Sequence, residues 1–158
     1  MIKKILIAID AGGPADSAVA AGLCLAKQLA AEVTLLHVVD VTLAFRPELG
    51  VSDDARVAEL RRSGQRLLDQ TIARCNGSTN VKRLLVEGEP AETIIAVAGE
   101  LSADLIVIGS DSRGRLAHFL LGSTADSVIR RAPCPVVTVR DNPTQKPNAA
   151  AAHALANA

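Results

Sequence analysis

Gly109-Ser110-Asp111-Ser112-Arg113-Gly114, with Gly122-Ser123-Thr124 shortly after, form the most chemically suggestive stretch of the chain. The chemistry is anion binding. Small residues leave backbone N–H groups open to a phosphate, and hydroxyls and guanidinium groups can meet its oxygens. The stretch follows an apolar run, Asp104 to Ile108, and precedes a helical pattern, Thr124 to Arg131. A helix beginning there adds the positive end of its dipole to the free N–H groups. On this reading Gly109 lets a ligand approach the backbone, Ser123 donates to a phosphate, and Arg113 and Arg115 neutralise its charge. The same residues also suit an ordinary connection between a strand and a helix, because glycine and serine fill loops generally.

Other reactive residue types are scattered. Asp10 follows the first apolar run, where it can either meet a ligand or cap the next turn. His37 lies inside an apolar strand pattern and reads as a satisfied core or sheet-end histidine. His118 reads as an exposed loop residue, and His153 suggests no role. Cys24, Cys75 and Cys134 stand far apart, with no C-x-x-C pair and no metal-ligand spacing. Cys134, between two prolines, reads as a buried or interface thiol. The charges of residues 53–70 alternate along a helix and form a solvated face. No nucleophile, general base or metal cluster emerges, so any hydrolysis of a bound phosphate compound should be slow.

Hydrophobic period gives the strands and helices around these residues. Ile5 to Ile9 is a short continuous apolar run, the mark of a strand covered on both faces. Gly12-Gly13-Pro14 breaks the chain, Asp16 or Ser17 can cap a new helix, and Ala18 to Ala30 has helical spacing. Glu32 to Val39 is a second strand, and residues 40–52 connect it to a long amphipathic helix, Asp53 to Asn76. Val81 to Val86 is a third strand. Glu89-Pro90 opens a helix with proline at a tolerated early position. Asp104 to Ile108 is the fourth strand, Leu116 to Leu121 a short turn or helix, and Pro135 to Arg140 the final strand. Alternating strands and helices predict an α/β fold: a five-stranded parallel sheet, doubly wound and Rossmann-like. Ligands in such folds bind beyond the carboxyl ends of the strands, where strand order reverses. With the first and fourth strands as central neighbours, Asp10 and Gly109 would face one crevice.

Totals narrow the partners. The 158 residues suit one domain, residues 1–141, followed by an Ala- and Pro-rich tail, 142–158, expected to be poorly ordered. Seventeen basic residues balance seventeen acidic ones, which gives no general attraction to nucleic acid or to an anionic membrane. Phe45 and Phe119 are the only aromatic residues, too few to build a base-stacking platform. No apolar run nears the roughly 20 residues that span a bilayer. The N-terminus lacks a signal-peptide pattern, so a cytoplasmic protein is expected.

Gly109-x2-Ser112-x9-Gly122-Ser123 resembles the G-x2-G-x9-G-[S/T] signature of the universal stress protein family. The resemblance spans roughly residues 3–140. It includes Ile5-Leu6-Ile7-Ala8-Ile9-Asp10, Leu35-Leu36-His37-Val38-Val39, Gly88-Glu89-Pro90, Leu120-Leu121-Gly122-Ser123-Thr124-Ala125 and Ala132-Pro133-Cys134-Pro135-Val136-Val137. It implies a sandwich of the adenine nucleotide alpha hydrolase-like type, a role under stress and, in many members, ATP binding with Mg2+. It further implies that Asp10 and the Val38 backbone meet adenosine, while Gly109, Ser112, Arg113, Gly122, Ser123 and Thr124 hold ribose and phosphates. Ser112 departs from the signature's second glycine, and its Cβ can crowd a phosphate. A non-binding, dimeric interaction protein is therefore the alternative. The resemblance also implies a homodimer, expected through the final strand, Val136-Val137-Thr138-Val139, which reads as an apolar sheet edge. A third reading starts from residues 11–17, which nearly spell the S-G-G-x-D-S loop of ATP pyrophosphatases. There the first serine is missing and one residue is extra.

Overall fold

In the computed structural model, residues 1–10, 15–46, 51–75, 81–110 and 122–140 are described. The predicted central turn or helix (116–121), the loop residues Ser112, Arg113 and His118, the glycines of the pyrophosphatase-like stretch, and the tail lie outside them.

The strands are β1 (Lys4–Ile9), β2 (Glu32–Asp40), β3 (Phe45–Arg46), β4 (Val51–Ser52), β5 (Val81–Gly88), β6 (Leu105–Ser110) and β7 (Val136–Arg140). The helices are α1 (Ala15–Leu29), α2 (Asp54–Arg74), α3 (Pro90–Glu100) and α4 (Ser123–Arg131). Five strands form one parallel sheet in the order β5-β2-β1-β6-β7, while β3 and β4 make a two-stranded antiparallel pair. The expected neighbours at the centre are found: Ile5 pairs with Leu105 and Ala8 with Ile108. Two-residue strands carry no readable period, so the 40–52 connection hid both the β3–β4 pair and a 3-10 turn at Val41–Ala44.

Strand alternation divides the core. Ile5, Ile7 and Ile9 face α1 and α2, together with Val33, Leu35 and Val107. Leu6, Ala8, Leu36, Ile106 and Ile108 face α3 and α4. Central residues such as Leu6, Leu36 and Ile106 are fully buried. Each such side chain contributes about 1.5–3 kcal/mol. On one face, Gly22 lets α1 settle on the sheet, since a Cβ there would meet the Ile7 side chain at 2.4 Å.

Helix ends follow local chemistry. Asp53 caps α2, its carboxylate accepting from the Arg56 N–H at 3.0 Å. Glu89 caps α3 by accepting from the Glu92 N–H at 2.8 Å, with Pro90 as its first residue. α1 begins at Ala15, three residues earlier than the apolar spacing suggests, which puts Asp16 in the first turn where a negative charge suits the dipole. Beyond α1 and α3, Ala30 (φ 51°) and Ser102 (φ 50°) take the left-handed conformation. The next N–H groups then close onto Ala26 and Ala98 carbonyls at 2.9 Å.

The two sheet edges differ in chemistry. Along β5, Lys82 pairs with Glu32, Arg83 with Asp69, and Glu87 with Arg61. β7 offers Val136, Val137, Thr138 and Val139, all partly exposed. Among the described residues no helix is long and apolar enough to cross a membrane.

Candidate functional site: a cleft at the carboxyl ends of the strands

β1 and β6 are neighbours, but their chain connections leave on opposite faces of the sheet, so a crevice opens beyond their carboxyl ends. Its volume is about 430 Å³, within the range of small-molecule sites. Asp10, Val38, Gly109, Gly122, Ser123 and Thr124 all border it. Of the site residues expected from the sequence, Ser112 and Arg113 alone fall outside the described residues.

Gly109 is not the end of its strand. β6 continues to Ser110 because β7 pairs alongside it, Gly109 with Val139 and Ser110 with Arg140. The cleft thus meets Gly109 as extended backbone. Across from it, Gly122 is the N-cap of α4 and makes no side-chain cap hydrogen bond. Its carbonyl accepts from the Asp126 N–H at 3.0 Å. A Cβ built on Gly122 meets no described residue within 4 Å. Among the described residues, no side chain caps the first N–H groups of α4, at Ser123, Thr124 and Ala125. This arrangement suits an anion.

At the opposite end of the cleft, β2 supplies His37, Val38, Val39 and Asp40. His37 Nδ1 lies 2.9 Å from the Ile9 carbonyl oxygen. The expectation of a satisfied sheet-end histidine holds for that nitrogen. Asp40 accepts from the Thr42 N–H at 3.0 Å, which ties β2 to the 3-10 turn beyond it.

The sequence reading missed the wall contributed by α2: Leu60, Ser63, Gly64 and Leu67. The signal was Gly64, a glycine in mid-helix, which costs about 1 kcal/mol relative to alanine and so asks for a packing reason. That reason is close approach. A Cβ on Gly64 would lie 2.5 Å from His37 Cδ2 and 2.9 Å from Leu85 Cδ1.

α3 and α4 are joined on the outside. Arg131 Nη2 donates to Glu92 Oε2 at 2.8 Å, and Nη1 donates to the other carboxylate oxygen. The guanidinium holds the Glu92 carboxyl below the usual carboxylate range. Both groups are exposed, so the pair orients the helices and adds little stability. Among the described residues no group of three or more His, Cys, Asp or Glu could hold a metal ion.

A family model described as the universal stress protein family matches residues 1–140. A universal stress protein of Methanocaldococcus jannaschii is 32% identical over 145 residues, covering 89% of this chain and 83% of its own. Among solved structures, the universal stress protein UspA from Lactobacillus plantarum superposes with a TM-score of 0.72 at 26% identity, covering 88% of this chain and 98% of its own. Two more distant structures share the fold: a universal stress protein in complex with cAMP (TM-score 0.67, 23% identity, 87% and 97% coverage) and one from Archaeoglobus fulgidus in complex with dAMP (TM-score 0.61, 24% identity, 87% and 98% coverage).

Proposed function

This chain belongs to the universal stress protein family, and from that premise we propose that it is a nucleotide-responsive regulatory module that binds ATP in the cleft. Asp10 and the Val38 backbone hold adenosine. Gly109, Ser112, Arg113, Gly122, Ser123 and Thr124 hold ribose and phosphates. The observation that carries this reading is the N-terminus of α4, which no described residue caps, with Gly122 lining the same cleft as Asp10 and Val38. The adenine nucleotides held by the two distant relatives add the ligand class. Mg2+ accompanies the phosphates as their own counter-ion. The module is not primarily a catalyst, and ATP turnover is slow.

Thermal unfolding by circular dichroism, with and without 1 mM Mg-ATP, tests the reading; the absence of Trp and Tyr rules out ordinary intrinsic fluorescence. With a Kd of about 10 µM, linkage gives about 2.7 kcal/mol of stabilisation. For this size that is a rise of about 5–10 °C. Gly122→Val should abolish the rise by placing a branched side chain at the wall of the cleft. A wild-type protein that melts at one temperature with and without Mg-ATP would refute ATP binding.

The module extends over residues 1–141, works in the cytoplasm and forms a homodimer through Val136, Val137, Thr138 and Val139. The contrast between the charged β5 edge and the apolar β7 edge supports the dimer. Free cysteines at positions 24, 75 and 134 fit a reducing compartment. Sedimentation at micromolar concentration checks the assembly, and a purely monomeric species would defeat it.

A further inference from the structure

We infer that His37 is a specificity-determining residue of the cleft: its Nε2 accepts a hydrogen bond from the 6-amino group of adenine and so selects 6-amino over 6-oxo purines. The inference rests on the nucleotide reading above and deepens it.

The tautomer follows from the partner. Nδ1 lies 2.9 Å from the Ile9 carbonyl oxygen, which can only accept. Nδ1 therefore donates there, and the matching tautomer of the uncharged imidazole presents Nε2 as an acceptor. Nε2 has no hydrogen-bond partner among the described residues, yet no buried side-chain nitrogen or oxygen among them lacks one. Nε2 is consequently an atom that open space reaches, on a ring that lines the cleft next to Val38.

The ring is held in that attitude. From α2, Gly64 covers its edge, and a Cβ there would stand 2.5 Å from Cδ2 and 3.0 Å from Nε2. Only glycine lets the helix pass this close. Leu60 and Leu67 supply apolar surface around the same part of the cleft. An acceptor set among apolar walls rewards a ligand that donates to it and penalises one that brings a second lone pair. Adenine offers an N–H at its 6-position. Hypoxanthine and guanine offer a carbonyl oxygen.

Titration calorimetry of the full chain with Mg-ATP and with Mg-ITP, which differ at this position, tests the inference on wild type, His37→Asn and His37→Gln. The asparagine amide can still donate to the Ile9 carbonyl but leaves no acceptor where Nε2 stood. The longer glutamine amide restores one. The ITP-to-ATP ratio of Kd values should fall about five- to tenfold in His37→Asn, through weaker ATP binding, and recover in His37→Gln. Gly64→Ala, which displaces the ring without altering it, should lower the ratio as His37→Asn does. Unchanged discrimination in His37→Asn overturns the inference. So does equal weakening of both nucleotides, the mark of a merely structural ring. Wild type binding both nucleotides alike defeats this inference alone, whereas wild type binding neither defeats the nucleotide reading as well.

Discussion

Gly122→Asp should make the protein more stable and its ligand response weaker, and both magnitudes come from the end of α4. Gly122 stands at the N-cap with φ −50° and ψ 152°, a conformation open to any residue, and makes no side-chain cap bond. No described residue lies within 4 Å of the position its Cβ would take. An aspartate there can accept from the second or third N–H of the helix and complement its dipole. Together these contribute about 0.5–1 kcal/mol. For a chain of this size that raises Tm by about 1–4 °C. A phosphate seeking the same N–H groups would find them taken and a negative charge roughly 5 Å away. Repulsion at that range costs about 1–3 kcal/mol per unit of phosphate charge at a near-surface dielectric. Losing one charge-assisted hydrogen bond adds about 1.5–3 kcal/mol. A hundredfold weaker Kd is a conservative outcome. It would cut the stabilisation by 1 mM Mg-ATP from about 2.7 to about 0.4 kcal/mol. Paired melts by circular dichroism read both numbers at once, and a third melt with adenosine, which has no phosphate, should shift as in wild type. A Gly122→Asp protein that retains the full Mg-ATP rise would show that no anion sits at α4, and the phosphate assignment would fall.

Gly88→Ala should cost about 1–3 kcal/mol in urea unfolding, because Gly88 has φ +156° and a Cβ there would lie 2.4 Å from Thr93 Oγ1. Ala30→Gly should stabilise by about 1 kcal/mol on the same assay, since the left-handed conformation at Ala30 strains any residue with a Cβ. The Asp104 carboxylate accepts from the Lys3 and Lys4 N–H groups at 2.8 and 3.0 Å, and these bonds hold its carboxyl below the usual value of 3.8. Its folded-state value being depressed, the contribution is complete above about pH 5 and lost as pH falls through the folded value. The stability gap between wild type and Asp104→Ala should accordingly be wider at pH 7 than at pH 3.

Local physics makes most of the sheet legible. β1 and β6 are apolar on both faces, so Ile5–Ile9 and Leu105–Ile108 read as central strands from their own residues alone. Glu89-Pro90 and Asp53 announce their helices through side-chain caps that act within three residues. The hidden parts depend on contacts distant in sequence. Ser110 belongs to β6 because Arg140 pairs with it, and no pattern near Ser110 says so. The cleft wall from α2 depends on how β2, β5 and α2 stack, and Gly64 alone marks the approach. The apolar pattern around His37 fits a core or a sheet-end histidine equally, and only the stacking of β2 against β1 shows that one nitrogen pairs with the Ile9 carbonyl.

The unequal edges of the sheet bear on how far assembly can proceed. The proposed pairing through β7 would use up the apolar edge, and the next edge that a growing stack would present is β5, already occupied by its own ion pairs. Under the proposed pairing, growth would terminate at the first step, as a closed pair rather than a fibre. A sheet with two edges like β7 would have no such stopping rule. Replacing the β5 charges with valines would thus change the number of copies that can join without touching the fold's centre.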